Sequence, residues 1–187
     1  MRPLLAVLLL LVASPARASA PGWSKADPLA IGVHLGMWGG GYVAPGIGGH
    51  IAWRPGRRWG IQGFWNSFAM VRDGTLRHDH VIGFANYVPV LGGQRAFLAP
   101  TAGMCVDFRF ADPVGRNTPV AQDIRFGLHA GLMGEVYVAR DLTAELDATA
   151  YGYWGNDAKL GAWSATASNT LTFTPVGQLT AAFAYHF

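Results

Sequence analysis

The chain has 187 residues, of which 51% are hydrophobic, 13% are charged and one is a cysteine. It is too apolar for a disordered chain, and the single Cys105 excludes an intrachain disulfide framework. The formal charge of +3 falls to +1 once Arg2 and Arg17 are set aside with the leader, and no basic cluster stands out, so nothing points to a nucleic-acid partner.

Met1 to Pro3 carries one positive charge, Leu4 to Ser14 is a short apolar run, and small residues follow as Ala16-Arg17-Ala18. This is the pattern of a secretory signal peptide, residues 1–18, cleaved after Ala18. The run is shorter than the ~20 residues a membrane helix needs, and no later stretch supplies one. Residues 19–28 read as a periplasmic lead-in and 29–187 as the folded unit.

Alternating segments then recur at 29–38, 46–54, 58–71, 76–90, 95–110, 123–138, 142–154 and 175–187. Their period is two, that of a strand with one apolar face. Most exceed the ~5–6 residues of a typical soluble strand and match the ~9–11 of a strand tilted through a bilayer. Arg54–Arg57, Leu91–Gln94 and Ala139–Asp141 read as tight turns. Gly39–Pro45, Arg72–Thr75, Ala111–Gln122 and Gly155–Thr174 read as mostly longer loops. Short turns at one end and longer loops at the other mark an outer-membrane barrel.

The faces choose the solvent. In the sixth segment Ile124, Phe126, Leu128, Leu132, Val136 and Val138 alternate with Arg125, His129, Glu135 and Tyr137. The polar faces also hold many glycines, among them Gly32, Gly48, Gly60, Gly103 and Gly127. A soluble surface is about a quarter charged or more, far above this chain. The expected fold is therefore all-β, an eight-stranded antiparallel up-and-down transmembrane β-barrel with its apolar face in lipid. Cys105 fits as an inert small residue in the wall.

The last residues, "LTAAFAYHF", place Leu179, Ala181, Phe183, Tyr185 and Phe187 on one face. A last strand that closes the sheet on the first leaves no edge in lipid. Phe183, Tyr185 and Phe187 resemble the C-terminal insertion signal of bacterial outer-membrane barrels. With the leader and the strand count, the mature chain resembles the small eight-stranded barrels typified by the OmpA membrane domain and OmpX. The resemblance implies a place in the bacterial outer membrane, contact with its lipid and lipopolysaccharide, and insertion by the barrel-assembly machinery. It implies no cofactor.

An eight-stranded barrel is only wide enough for side chains to fill. The expected interior network is His34, His50, Arg54, Arg95, Asp107, Arg109, Arg125, His129, Glu135, Glu145 and Asp147, because buried charges must be paired. Aromatics near strand ends, Trp38, Trp53, Trp59, Tyr87, Tyr137, Tyr153, Trp154 and Phe187, read as membrane-interface girdles. The leading functional reading is a structural or surface-interaction barrel without catalysis. It would show Ala111–Gln122 and Gly155–Thr174, with Trp163 as an anchor, to an unidentified extracellular ligand. One alternative is a lipid-modifying or hydrolytic enzyme using His78, Asp79 and His80; another is a narrow pore for small solutes. His78-x-His80 sets two imidazoles on one strand face, the start of a metal site, but no third ligand is identifiable. Lipid A deacylase barrels use a His-x-Ser pair, and none of the six histidines has Ser two residues later. Ser67 meets a histidine only if the fold brings one to it.

Overall fold

The structure, a computed structural model, describes residues 28–40, 43–55, 59–72, 74–92, 95–113, 121–155 and 172–187. The leader, nearly all of the lead-in, Trp163 and most of the two long connections lie outside these residues.

Alternation of β-branched or aromatic residues with small and polar ones favours extended chain. The strands are β1 (Leu29–Gly39), β2 (Val43–Trp53), β3 (Gly60–Arg72), β4 (Thr75–Tyr87), β5 (Ala96–Pro113), β6 (Ala121–Tyr137), β7 (Leu142–Gly155) and β8 (Thr172–His186). A two-residue piece, Leu91–Gly92, adds to the edge of β5 opposite Leu98 and Phe97. Every consecutive pair is antiparallel. β1 also pairs with β8, from Ala30 opposite His186 to Gly39 opposite Gly177. The sheet closes on itself and has no edge to expose to hydrocarbon. Bonds from Phe187 N to Leu29 O (2.9 Å) and from His186 N to Asp141 O (2.8 Å) finish the seam.

Side chains alternate across the wall as the sequence pattern requires. Phe126 is 67% exposed, while its neighbour Arg125 is 3% exposed. Ile31, Val33, Leu35, Ile47, Ile51, Leu128 and Phe183 face outward, and His50, Arg54, Asp107, Arg109, His129 and Glu135 are buried inside. Hydrophobic surface outside and charge inside is the reverse of a soluble barrel, and it fits a wall solvated by lipid.

A narrow lumen can hold large side chains only where the wall opposite is thin. Tyr87 lies over Gly60, His50 over Gly32 and His34 over Gly48; a Cβ on any of these glycines would overlap the ring beside it. A Cβ at Gly103 would overlap the carbonyl oxygen of Phe84 on the adjacent strand. The interior glycines are therefore the counterpart of the interior rings.

Several expectations are corrected. Tyr87, Trp38 and Tyr153 are buried in the lumen, not in the girdles. Tyr137 is half-buried, with its ring 5.1 Å from that of His186. All four share strand parity with inward residues, and strand pairing, not residue type, sets the face. Arg95 is exposed, because it sits in the turn before β5 rather than on an inward strand position. The connection read as Gly39–Pro45 is shorter than expected, while the four-residue Arg72–Thr75 keeps its bounds. β1 pairs with β2 up to Gly39 opposite Val43. β3 pairs with β4 up to Arg72 opposite Thr75, leaving Asp73 and Gly74 as the link. Gly74 has φ of 70°, a region glycine enters without the Cβ penalty.

Candidate functional site

The lumen is built in three layers. The first, at the end of the short turns, centres on Arg54, just past β2. Its Nη1 donates to Glu135 Oε1 on β6 at 2.6 Å, its Nη2 donates to Glu135 Oε2, and its Nε donates to Tyr87 Oη at 2.6 Å. The guanidinium stands 5.5 Å from the Phe97 ring centroid. His186 Nε2 lies 3.9 Å from Glu135 Oε1 and hydrogen-bonds Thr143 Oγ1 at 3.1 Å. A carboxylate taken out of water at such depth is tolerable only with several partners, and Glu135 has them.

The second layer is a cavity of about 40 Å³ lined by His34, His50, His129, Glu145, Asp147 and Thr101 among others. His50 Nε2 is 3.5 Å from Glu145 Oε2. The His34 and His50 rings stack with centroids 5.9 Å apart, and His34 Nε2 bonds Asn66 Oδ1. His129 Nε2 donates to Phe84 O at 3.1 Å. Thr149 donates to Asp147. With a polar lining, this volume suits about three water molecules at ~10–15 Å³ each.

The third layer closes the far end. Trp38 stacks on Phe68 with centroids 5.1 Å apart and meets Tyr153 edge-on at 6.3 Å. Arg125 donates to Asp107 through Nε (3.1 Å) and Nη2, and its guanidinium lies 4.5 Å from the centre of the Tyr153 ring. Arg109 pairs with Asp79 and Asp123, each at 4.0 Å. The first and third layers fill the lumen on either side of a small polar cavity, which makes the lumen a filled core.

The sequence matches no protein-family model and no curated protein. Solved structures with the same fold exist. Neisserial surface protein A aligns with a TM-score of 0.56 at 13% identity, over 85% of this chain and 96% of that one. A major outer membrane protein of Thermus thermophilus aligns with a TM-score of 0.56 at 12% identity, over 85% and 98%. Ail, the attachment invasion locus protein of Yersinia pestis, aligns with a TM-score of 0.52 at 12% identity, over 85% and 96%. This chain has the fold of the eight-stranded outer-membrane barrels. Together with the apolar outer wall, that fold places it in the bacterial outer membrane.

On the outside of the barrel, Trp53 and Trp59 meet edge-on at 5.8 Å beside the short turns, and Tyr185 and Phe187 at 5.0 Å. Phe183, Tyr185 and Phe187 all face outward. Trp154 is exposed at the opposite end, with Phe173 5.1 Å away. The segment His78-Asp79-His80 is divided by strand alternation. Asp79 is fully buried in the lumen, whereas His78 and His80 point outward with rings 5.5 Å apart. Asp79 thus joins neither histidine in an acid–base pair. Among the described residues, no group of three His, Cys, Asp or Glu is arranged to hold a metal ion. Sequence reasoning missed Tyr87, Asn66, Arg77 and His186 as lumen residues. Their parity with Asp79, His50 and Glu135 on the paired strands was the signal available.

Proposed function

We propose that the protein is a surface-interaction barrel: a lipid-anchored wall around a filled core, with its working surface on the connections at the end of the barrel opposite the short turns. The observation that carries this reading is the lumen. Buried ion pairs and stacked rings occupy its two end layers, which argues against a passage for solutes. The connection β7–β8 is the longest in the barrel, and β5–β6 emerges at the same end. Among similar structures, Ail was also crystallised with a heparin analogue, sucrose octasulfate. Here residues 114–120 carry Arg116 as their only cation and residues 156–171 carry Lys159 alone, with Trp163 and many Ser, Thr and Asn. That chemistry favours a neutral surface gripped by an aromatic anchor and hydroxyl or amide hydrogen bonds over a highly sulfated one.

The test is a binding screen against outer-membrane glycolipid, host-cell surfaces and matrix proteins. It compares intact protein with a variant lacking most of 156–171 and with Trp163→Ala. The expected result is a deleted variant that still forms a heat-modifiable barrel and has lost binding, with Trp163→Ala weakened by tenfold or more. A deletion that prevents folding, or one that binds as the intact chain does, refutes the reading.

A further inference from the structure

Among the described residues the lipid-facing wall is mostly apolar, with a concentrated polar interruption across β3, β4 and β5. Ser67 on β3 lies directly opposite His80 on β4 in the antiparallel register, and both face outward. His78, two residues along β4, is the next outward position, and its ring stacks on Phe110 of β5 with centroids 4.9 Å apart. Asp112 of β5 is the residue beyond Phe110 on that face. It pairs in register with Leu76, on the side of His78 away from His80, and acts electrostatically on His78. The outward order across three strands is thus hydroxyl, imidazole, imidazole, carboxylate. Directly opposed residues of an antiparallel pair hold their Cβ atoms ~4.5–5.5 Å apart, so side-chain rotation brings the Ser67 hydroxyl to the His80 ring. Such bonds commonly tighten only when substrate arrives. All four residues are half-buried among their neighbours, with Ser67 and His80 close to the middle of β3 and β4.

Burying polar groups against hydrocarbon is unfavourable without polar partners, and the Ser67–His80 pair sets a nucleophile beside a base, with His78 and Asp112 next in line. We propose that this patch is an esterase site for acyl-ester lipids of the surrounding leaflet, a further activity that is independent of the loop-borne surface interaction. The substrate arrives sideways through the bilayer, its acyl chain against Trp65, Phe108 and Phe110 and its ester at the level of Ser67. His80 takes the hydroxyl proton as Ser67 Oγ adds to the ester carbonyl carbon. His78, held by Asp112, supplies the N–H that meets the oxyanion. The bond to the alcohol oxygen breaks, and that oxygen leaves with the proton from His80. Water then gives a proton to His80 and attacks the acyl-serine, and the fatty acid departs as Ser67 recovers its proton. One ester and one water become one alcohol and one carboxylic acid, with no redox change.

The test uses the full mature chain in bilayers, with a fluorophosphonate probe followed by peptide mapping. Two vesicle assays accompany it, one with acyl-labelled phosphatidylethanolamine and one with acyl-labelled lipid A. The expected result is phosphonylation of Ser67, absent in Ser67→Ala, and release of fatty acid from one of the two lipids. His80→Gln should slow both probe labelling and turnover by about 100-fold or more, the usual range for a lost general base. Both variants lie on the outer wall, and heat-modifiability reports their folding. No label on Ser67 together with no release from either lipid overturns the proposal. So does a folded His80→Gln barrel that labels at the original rate. A loop-deleted barrel that loses ligand binding but keeps Ser67 labelling separates this activity from the surface interaction.

Discussion

Arg54 and Glu135 meet inside the barrel as a two-pronged ion pair, from positions 81 residues apart in the chain. Both are essentially removed from solvent. Neither strand end would bury its charge alone, so the pair ties β2 to β6 across the lumen. Removing one partner leaves the other charge buried and uncompensated, which costs about 3–5 kcal/mol. Glu135→Ala is expected to lower the urea midpoint of the folded barrel in lipid vesicles by that equivalent. Arg54→Met with Glu135→Leu should recover most of the loss, because an apolar pair of similar volume removes the unpaired charge.

The interior glycines give a second, sharper contrast. Gly103→Ala places a methyl group on the Phe84 carbonyl of the neighbouring strand, and backbone cannot step aside as a flexible side chain can. The expected penalty is at least the ~1–3 kcal/mol typical of overpacking, read as a lower unfolding midpoint. Gly63→Ala, on the outer face with nothing within 4 Å, should stay within about 0.5 kcal/mol of the original.

The lipid-facing wall predicts a depth-dependent response to charge. Leu128, 53% exposed near the middle of β6, should tolerate arginine badly, at a cost of about 2–4 kcal/mol in a bilayer. Val138, just past the end of β6, should tolerate it at about 0–1 kcal/mol. Equal effects at the two positions would contradict a bilayer around this wall.

Two barriers in series make the lumen silent. The intact protein in a planar bilayer should show no steady unitary current. Trp38→Gly alone should not change this, since the Arg54–Glu135–Tyr87 layer remains. Only Trp38→Gly combined with the Arg54→Ala and Glu135→Ala pair should open measurable steps. Steady conductance in the unaltered chain would overturn the filled-core description.

Cys105 reports on the wall from inside. It is buried facing the lumen, between Gly83 and Gly127 of the adjacent strands. A water-soluble maleimide should leave it unmodified in the folded barrel and label it fully after denaturation, as measured by intact mass.

Much of the fold was legible in the sequence because one rule, alternation, acts at every strand residue. In β6 and the first half of β7 most inward residues are charged, histidine or small, so Arg125, His129, Glu135 and Glu145 announce their face. Where both faces are apolar, as in "VIGFANYVPV" of β4, alternation carries no label. Pairing with β3 and β5 then decides that Val81, Ala85 and Tyr87 turn inward while Ile82 and Phe84 turn outward. Aromatic residues near strand ends were the weakest guide, since rings fill a narrow lumen as readily as they line an interface; Trp38 and Tyr153 do the former. Strand ends were drawn short where composition changes before pairing stops, as at the start of β2 and the end of β5. Which histidine stands opposite Ser67 was not legible, because His80 becomes its neighbour only through the register of β3 and β4.

The seam where Ala30 sits opposite His186 joins the first strand to the last, which has a kinetic consequence. Until β8 is in place, β1 and β7 both present unpaired strand edges, the surfaces on which polypeptides aggregate. Closure joins segments separated by nearly the whole folded region, and such long-range pairing is slow. The strand order itself therefore makes folding a race between closure and association, and the yield of folded barrel in vesicles should fall as the concentration of unfolded chain rises.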